Sequence, residues 1–247
     1  MSNDSSLELY GSRVSTCSQR VRFVLSEKKI TFVDRPIKLE AGEHLSPEYL
    51  AINPNGLVPA LVHDGRVVVD SSVINEYLDE VFRSIPLVPS DAYGRARMRG
   101  WVQYLDEVLT PSIRYPSFQA FFGGHIRSLS DEQRREFAGR LPLRKYFALE
   151  IVGSEGFPAE RLDAAMERIE ASLRRINSAL TNTAWLAGDK LTLADIAAMP
   201  SIVRLDDLGR SELWSDLPAI TDWYGRISEM ESFKSTYSTG RLGVNAN

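Results

Sequence analysis

The sequence predicts an α/β layer at its N-terminal end followed by an all-helical unit. Strand and helix signals alternate over about the first 80 residues. That stretch closes on a hairpin signal and an amphipathic helix, and beyond it apolar residues recur at helical steps of three and four. Leu7-Glu8-Leu9-Tyr10 reads as a short strand, followed by a turn containing Gly and Ser. From Arg20 a helix begins, with Val21, Val24 and Leu25 on one face. Thr31-Phe32-Val33 with Ile37 predicts a second strand and ends a βαβ unit. After a loop containing Pro47, Asn53-Pro54-Asn55-Gly56 is a turn signal. Pro59–His63 and Arg66–Val69 then flank Asp64-Gly65, the preferred linker of a two-residue hairpin. Ser71-Ser72 open a helix with the stripe Val73, Ile74, Tyr77 and Leu78. The order β-α-β, hairpin, α is the thioredoxin-like layout, a sheet covered by helices on both faces.

The second half carries no comparable strand pattern. Met98, Trp101, Val102, Leu105 and Leu109 share a helix face between Arg95 and Leu109. From Pro158 a longer stripe runs through Leu162, Ala165, Met166, Ile169, Leu173, Ile176 and Leu180. Thr192-Leu193-Ala194-Asp195 is the acidic form of a capping box and opens a helix carrying Ile196, Met199, Ile202, Val203 and Leu205. The boundary falls in Ser84–Asp91, which holds Pro86 and Pro89, and divides the chain into an α/β domain over 1–83 and a helical-bundle domain over 92–247. Residues 111–157, with Pro111, Pro116, Gly123-Gly124 and Gly153, read as an irregular excursion. The polar tail from Thr236 is assigned no structure.

Composition narrows the function. A net charge of −4 gives no basic excess for gripping nucleic acid, and no apolar run approaches the roughly 20 residues of a membrane span. A single cysteine excludes an internal disulfide and leaves too few thiols for a structural zinc site, while the three histidines are widely separated. The polar Met1–Ser6 segment lacks the apolar core of a signal peptide, so the cytoplasm is the expected compartment.

Three points in the first half can carry chemistry. Ser15-Thr16-Cys17-Ser18 stands where the first strand turns into the first helix. Unpaired N–H groups and the helix dipole there favour an anion, including a thiolate, and Arg13, Arg20 and Arg22 add positive charge nearby. The same residues also suit plain capping by Ser15 or Ser18 with Cys17 as a small buried side chain. At Val58-Pro59 a cis bond would leave the Val58 main chain free to pair with a peptide-like ligand, although an ordinary trans proline is the commoner arrangement. Asp70-Ser71-Ser72 could hold an α-amino acid group, ammonium on Asp70 and carboxylate on the hydroxyls, or simply cap the helix.

The order of these stretches resembles the glutathione transferase superfamily along nearly the whole chain. The resemblance rests on Ser15–Arg22, Asn53–Leu61, Asp70–Leu78 and Leu186–Asp189 through Thr192–Ile196. It implies glutathione as co-substrate, no metal, a homodimer, and a role for each matching residue. Ser15, in a loop similar to the zeta class, donates to the glutathione sulfur, and Cys17 sits beside the thiol. Val58, next to cis-Pro59, pairs through its backbone with the cysteinyl unit. Asp70 and Ser71 hold the γ-glutamyl end, and His44 falls where the family holds the glycyl carboxylate. Thr192 and Asp195 match a folding motif. A hydrophobic, aromatic electrophile is expected against the Trp101–Thr110 helix and the excursion, with Tyr104, Tyr115, Phe118, Phe121 and Phe122 supplying surface.

Two subclasses compete within the resemblance. The region His44–Val81 and the excursion ending at Gly156-Phe157-Pro158 are similar to bacterial β-etherases, whereas the Ser15-Thr16-Cys17 loop is similar to zeta-class isomerases and to reductive dehalogenases. Outside transfer chemistry stand thiol–disulfide exchange through Cys17 and glutathione binding without turnover.

Overall fold

The computed structural model describes residues 6–121, 128–152 and 156–242. The first half runs β1 (Leu7–Gly11), α1 (Thr16–Glu27), β2 (Val33–Pro36), α2 (Pro47–Ile52), β3 (Ala60–His63), β4 (Arg66–Val69) and α3 (Ser71–Val81). One four-stranded sheet results, in the order β2-β1-β3-β4. β1 pairs parallel with β2 and antiparallel with β3, and β3 pairs antiparallel with β4. Alternation along β1 buries Leu7 and Leu9 on the side where Val21, Phe23, Val24, Leu25, Ile74 and Leu78 of α1 and α3 complete a core. The opposite face is covered by α2, whose Tyr49 ring meets Tyr10 at 6.4 Å between centroids. Asp64 and Gly65 both take positive φ, 50° and 76°, as a two-residue hairpin turn requires.

Two local expectations shift. α1 starts at Thr16, four residues before Arg20, because Ser15 caps it. β2 omits Thr31 and Phe32. The short α2, unread in the sequence, is opened by Ser46, whose side chain accepts from Tyr49 N, with Pro47 in the first turn.

The second half is helical: α4 (Ala92–Tyr104), a π-helical turn (Leu105–Leu109), α5 (Thr110–Phe121), α6 (Asp131–Gly139), α7 (Lys145–Leu149), α8 (Ala159–Leu180), α9 (Leu193–Asp207), α10 (Pro218–Ser228) and α11 (Glu231–Tyr237). α9 is buried nearly from end to end, and Asp195 on its first turn is fully enclosed. Its carboxylate accepts four bonds, from Leu186 N (2.8 Å), Trp223 Nε1 (3.1 Å), Thr192 N (3.0 Å) and Thr192 Oγ1 (3.1 Å). The capping box read in the sequence is therefore present and also ties three separate segments together.

Residues 111–157 correct the expectation of an irregular excursion. They hold most of α5 together with α6 and α7. Pro111 follows directly on the π-helical turn, and Pro116 is accommodated inside the helix. Around it, Ser112 Oγ donates to Val108 O (2.7 Å) and Ser117 Oγ to Ile113 O (2.6 Å). Tyr115, Phe118, Phe147 and Phe157 then pack edge to face or tilted at 4.9–5.9 Å, around Ile151. Aromatic packing between distant segments outweighs the local breaker signal. Gly123-Gly124, His125 and Gly153 lie outside the described residues.

The tail from Thr236 is also structured as far as Leu242. Phe233 and Tyr237 of α11 are buried in the main core, which includes residues of α1, and Gln19 Nε2 donates to both Gly240 O (2.8 Å) and Arg13 O (2.9 Å). Gly240 and Tyr237, whose Oη donates to Gln19 Oε1, are more than 200 residues from Gln19 in sequence, so nothing local announced them. Within the first half, Lys28 Nζ binds Asp79 Oδ1 at 2.6 Å, and the Asp79 carboxylate accepts from Leu87 N and Val88 N of the connecting segment.

Candidate functional site

A cleft of about 400 Å³ opens between the N-terminal sheet layer and the helices α5, α6 and α7. Ser15, Cys17, His44 and Val58 all line it.

Ser15 is the N-cap of α1, and its Oγ accepts from Ser18 N at 3.3 Å. As an acceptor in the cap, it keeps its hydroxyl proton free to donate into the cleft. The N–H groups of Thr16 and Cys17 form no hydrogen bond among the described residues, as the first turn of a helix dictates. Cys17 is half-buried and unpaired.

Val58 sits on a braced loop. Leu57 O accepts from Tyr49 Oη and Asn53 Nδ2, both at 2.6 Å, and Asn53 also closes the turn through Asn55 N and Gly56 N. Gly56 takes φ +60°, and a Cβ there would stand 3.0 Å from Leu45 Cδ2 and 3.2 Å from Pro142 Cδ. Only glycine lets this loop approach the His44 turn so closely. The Val58-Pro59 bond is cis. Neither the N–H nor the C=O of Val58 is hydrogen-bonded among the described residues, so a main-chain donor and acceptor face the cleft together.

His44 is buried, with Nδ1 unpartnered. Burial, then the nearby charges of Arg140 and Arg144, push its pKa down, so the ring is neutral at pH 7. Asp70 and Ser71 stand apart from the lining. Asp70 caps α3 by accepting from Ser72 N (2.9 Å) and Val73 N (3.4 Å), with φ at 74°, and Ser71 is buried beside it. A non-glycine residue held there is strained, a feature that concentrates at ligand clamps.

The positive charge expected from Arg13, Arg20 and Arg22 is already matched elsewhere. Arg13 and Arg22 converge on Asp34, at 2.9 and 2.5 Å. Arg20 is buried against Asp106 and Thr110, and Asp106 also accepts from Ser72 Oγ at 2.5 Å. Asp106 lies on the π-helical turn, which joins α4 and α5 to both α1 and α3 at a single carboxylate.

Four other arginines line the cleft: Arg114, Arg140, Arg144 and Arg204. Arg204 on α9 donates to Val14 O at 2.5 Å and fixes the loop just before Ser15. The sequence reading missed all four. Arg114, Arg140 and Arg144 fall in the 111–157 stretch read as irregular, and Arg140 and Arg144 flank the turn between α6 and α7.

Of the aromatic residues expected at the electrophile wall, Phe118 lines the cleft. Tyr104 instead bonds Ser172 Oγ at 2.9 Å and lies under Arg175, Tyr115 bonds Glu150 within the small aromatic cluster, and Phe121 stacks beneath Arg204. Phe122 lies outside the described residues. Phe137 and Phe147, on α6 and α7, complete the apolar wall.

Residues 14–81 match the family model described as glutathione S-transferase, N-terminal domain, and residues 135–231 match glutathione S-transferase, C-terminal domain. Protein LigF of Sphingobium sp. is 31% identical over 242 residues, spanning 95% of this chain and 94% of LigF. Its crystal structure, described as a beta-etherase, superposes with a TM-score of 0.86 at 28% identity, covering 94% of this chain and 99% of that one. A zeta-class glutathione S-transferase of Euphorbia esula is 30% identical over 202 residues, 81% of this chain and 76% of its own. With glutathione S-transferase 1 of Dianthus caryophyllus the match is shorter, 43% identical over 95 residues, 38% of this chain and 43% of that one. A four-stranded sheet layer, a helical second half and full-length relatives together place this chain in the glutathione S-transferase family, as a glutathione-using enzyme.

Proposed function

We propose that the cleft holds glutathione along its N-terminal wall and presents the thiol to a hydrophobic, aromatic electrophile resting on α5, α6 and α7. The observation that carries this reading is the Val58 main chain, an unpaired donor and acceptor side by side on the cleft, the complement of a peptide backbone. Asp70 and Ser71 take the γ-glutamyl end, and neutral His44 donates to the glycyl carboxylate. Glutathione supplies the nucleophilic thiol.

Ser15 and the helix N-terminus set that thiol's protonation. A free thiol titrates near 8.5, and each unit of lowering needs about 1.4 kcal/mol of preference for the thiolate. One hydrogen bond to a charged group contributes about 1.5–3 kcal/mol. The Ser15 hydroxyl with the free N–H groups of Thr16 and Cys17 is sufficient without a general base. On a substitution substrate the C–S bond forms as the bond to halide or aryloxide breaks, and the leaving group departs with the electron pair. Arg204, through Val14 O, acts as a positioning residue for Ser15.

The absorbance of the bound thiolate against pH tests the assignment. In wild type the bound thiol titrates well below 8.5, and in Ser15→Ala it rises back by about one to two units. An unshifted thiol at saturating glutathione rejects the reading in favour of binding without turnover. If Cys17→Ser abolishes activity while Ser15→Ala leaves it intact, thiol–disulfide exchange replaces it.

Aryl ether cleavage is a second reading, favoured by the full-length likeness to LigF in sequence and structure. It uses the same thiolate, with an aryloxide as leaving group. A homodimer is proposed from the family alone, and a solution mass equal to one chain would reject it. The cytoplasm remains the proposed compartment.

A further inference from the structure

Glutathione brings its own carboxylates, and the N-terminal wall can account for both. The helical wall carries charge that this does not explain. Arg114 on α5 and Arg144 at the N-cap of α7 are partly buried and line the cleft. Among the described residues, neither guanidinium donates a hydrogen bond or lies within 4 Å of a carboxylate. Arg114 rests over the Phe147 ring at 5.5 Å. The carboxylate that lines the cleft, Glu40, forms no ion pair with either. Burial, followed by the charge of Arg144, lowers Arg114 to about 10, and burial lowers Arg144 as well, while Cys17 acts in the opposite sense on both. Two cations on one cleft, partly desolvated and without a carboxylate among the described residues, are unfavourable until an anion joins them. Elsewhere in this chain the buried cations Arg20, Arg22 and Lys28 all have carboxylate partners, so the absence here is particular to the cleft.

Building on the proposed transferase reading, we infer that the electrophile is an aromatic acid, whose carboxylate is held between Arg114 and Arg144 while its ring lies on Phe118, Phe137 and Phe147. The fork of a guanidinium suits a carboxylate, and the rings beside it exclude water and strengthen the pair. The flat apolar wall selects the ring, and the arginine pair orients it with its reacting carbon toward the Ser15 end. Arg140, exposed at the rim next to His44, is left to the glycyl end of glutathione.

The test uses a matched pair, a chlorodinitrobenzoate with its carboxylate para to chlorine and the methyl ester of the same acid. In wild type kcat/KM favours the acid, and Arg114→Met or Arg144→Met lowers the acid-to-ester ratio by about tenfold or more, the effect of one charge-assisted hydrogen bond. Arg114→Lys retains part of the ratio. A ratio unchanged in both methionine variants overturns the inference. So does a calorimetric loss of glutathione affinity in these variants with the ratio intact, because the arginines then serve the peptide. Calorimetry of the wild-type protein saturated with S-methylglutathione, which cannot react, gives a readout free of turnover. The acid binds about tenfold tighter than the ester, and high salt erodes that margin; equal binding overturns the inference even if conjugation fails for other reasons. Failure of the transferase reading appears separately, as an unshifted thiol or no turnover of the ester.

Discussion

The two walls of the cleft are built on opposite principles. The N-terminal wall works through main-chain groups and one hydroxyl, each fixed by a short-range device: the Ser15 cap, the Tyr49 and Asn53 brace on Leu57 O, and the glycine at position 56. The helical wall presents long cationic side chains and aromatic rings drawn from three helices, with the guanidiniums of Arg114 and Arg144 unmatched among the described residues. A wall of fixed dipoles suits one constant ligand, because its geometry is set before binding and loses little entropy. A wall of side chains can change its specificity by single substitutions while the fixed wall opposite stays untouched. The contrast fits full-length likeness to relatives named for different activities.

The largest expected effect comes from the carboxylate that anchors the start of α9, the helix whose Arg204 reaches the Ser15 loop. Asp195→Ala leaves four donors buried without an acceptor and should lower unfolding stability by about 3–5 kcal/mol in denaturant titration. A loss under 1 kcal/mol would mean that α9 is held by its apolar contacts alone.

Arg204 is a polar link from the helical half to the Ser15 loop. Arg204→Leu should lower kcat by about tenfold, through a Ser15 that wanders, with a smaller change in the KM for glutathione. An increase confined to KM would recast Arg204 as a binding residue. Tyr49→Phe removes one of two donors on Leu57 O and should raise the glutathione KM about fivefold with kcat nearly constant. Equal falls in both parameters would show that the Val58 loop also shapes the transition state.

His44 gives the smallest effect. Because the fold disfavours its charged form, the unfolded chain binds the extra proton first as pH falls below about 6.5. Stability is therefore complete above that value and declines below it, and His44→Gln should flatten this slope in urea melts between about pH 7 and pH 5. Glutathione affinity at pH 7 should stay within about threefold, since a neutral donor replaces a neutral donor. A large loss of affinity would indicate that His44 acts as a cation when glutathione binds.

Much of the N-terminal wall was legible in the sequence because its determinants are local. Ser15 caps three residues away, Asn53 and Gly56 close their own turn, and Asp64-Gly65 turns its own hairpin. The capping box of Thr192 and Asp195 was legible for the same reason, although its bonds to Leu186 and Trp223 were not. The helical wall was misread wherever local and distant forces disagree. Pro111 and Pro116 were read as breakers, yet aromatic packing among Tyr115, Phe118, Phe147 and Phe157 keeps α5 and α7 in place. The charges of Arg13, Arg20 and Arg22 were counted toward the site without their partners, Asp34 and Asp106, which the sequence does not place beside them.

By itself, then, the sequence determined the order of strands and helices, the turn and cap chemistry, and the family to which their order belongs. Those features depend on backbone conformation within a few residues, where side-chain type and spacing act directly. Only the tertiary structure decided which cations are neutralised and which face the cleft, which rings form its wall, and that the C-terminal tail closes over α1. Charge pairing and aromatic packing join residues tens to hundreds of positions apart, and their sign and strength exist only once those residues meet.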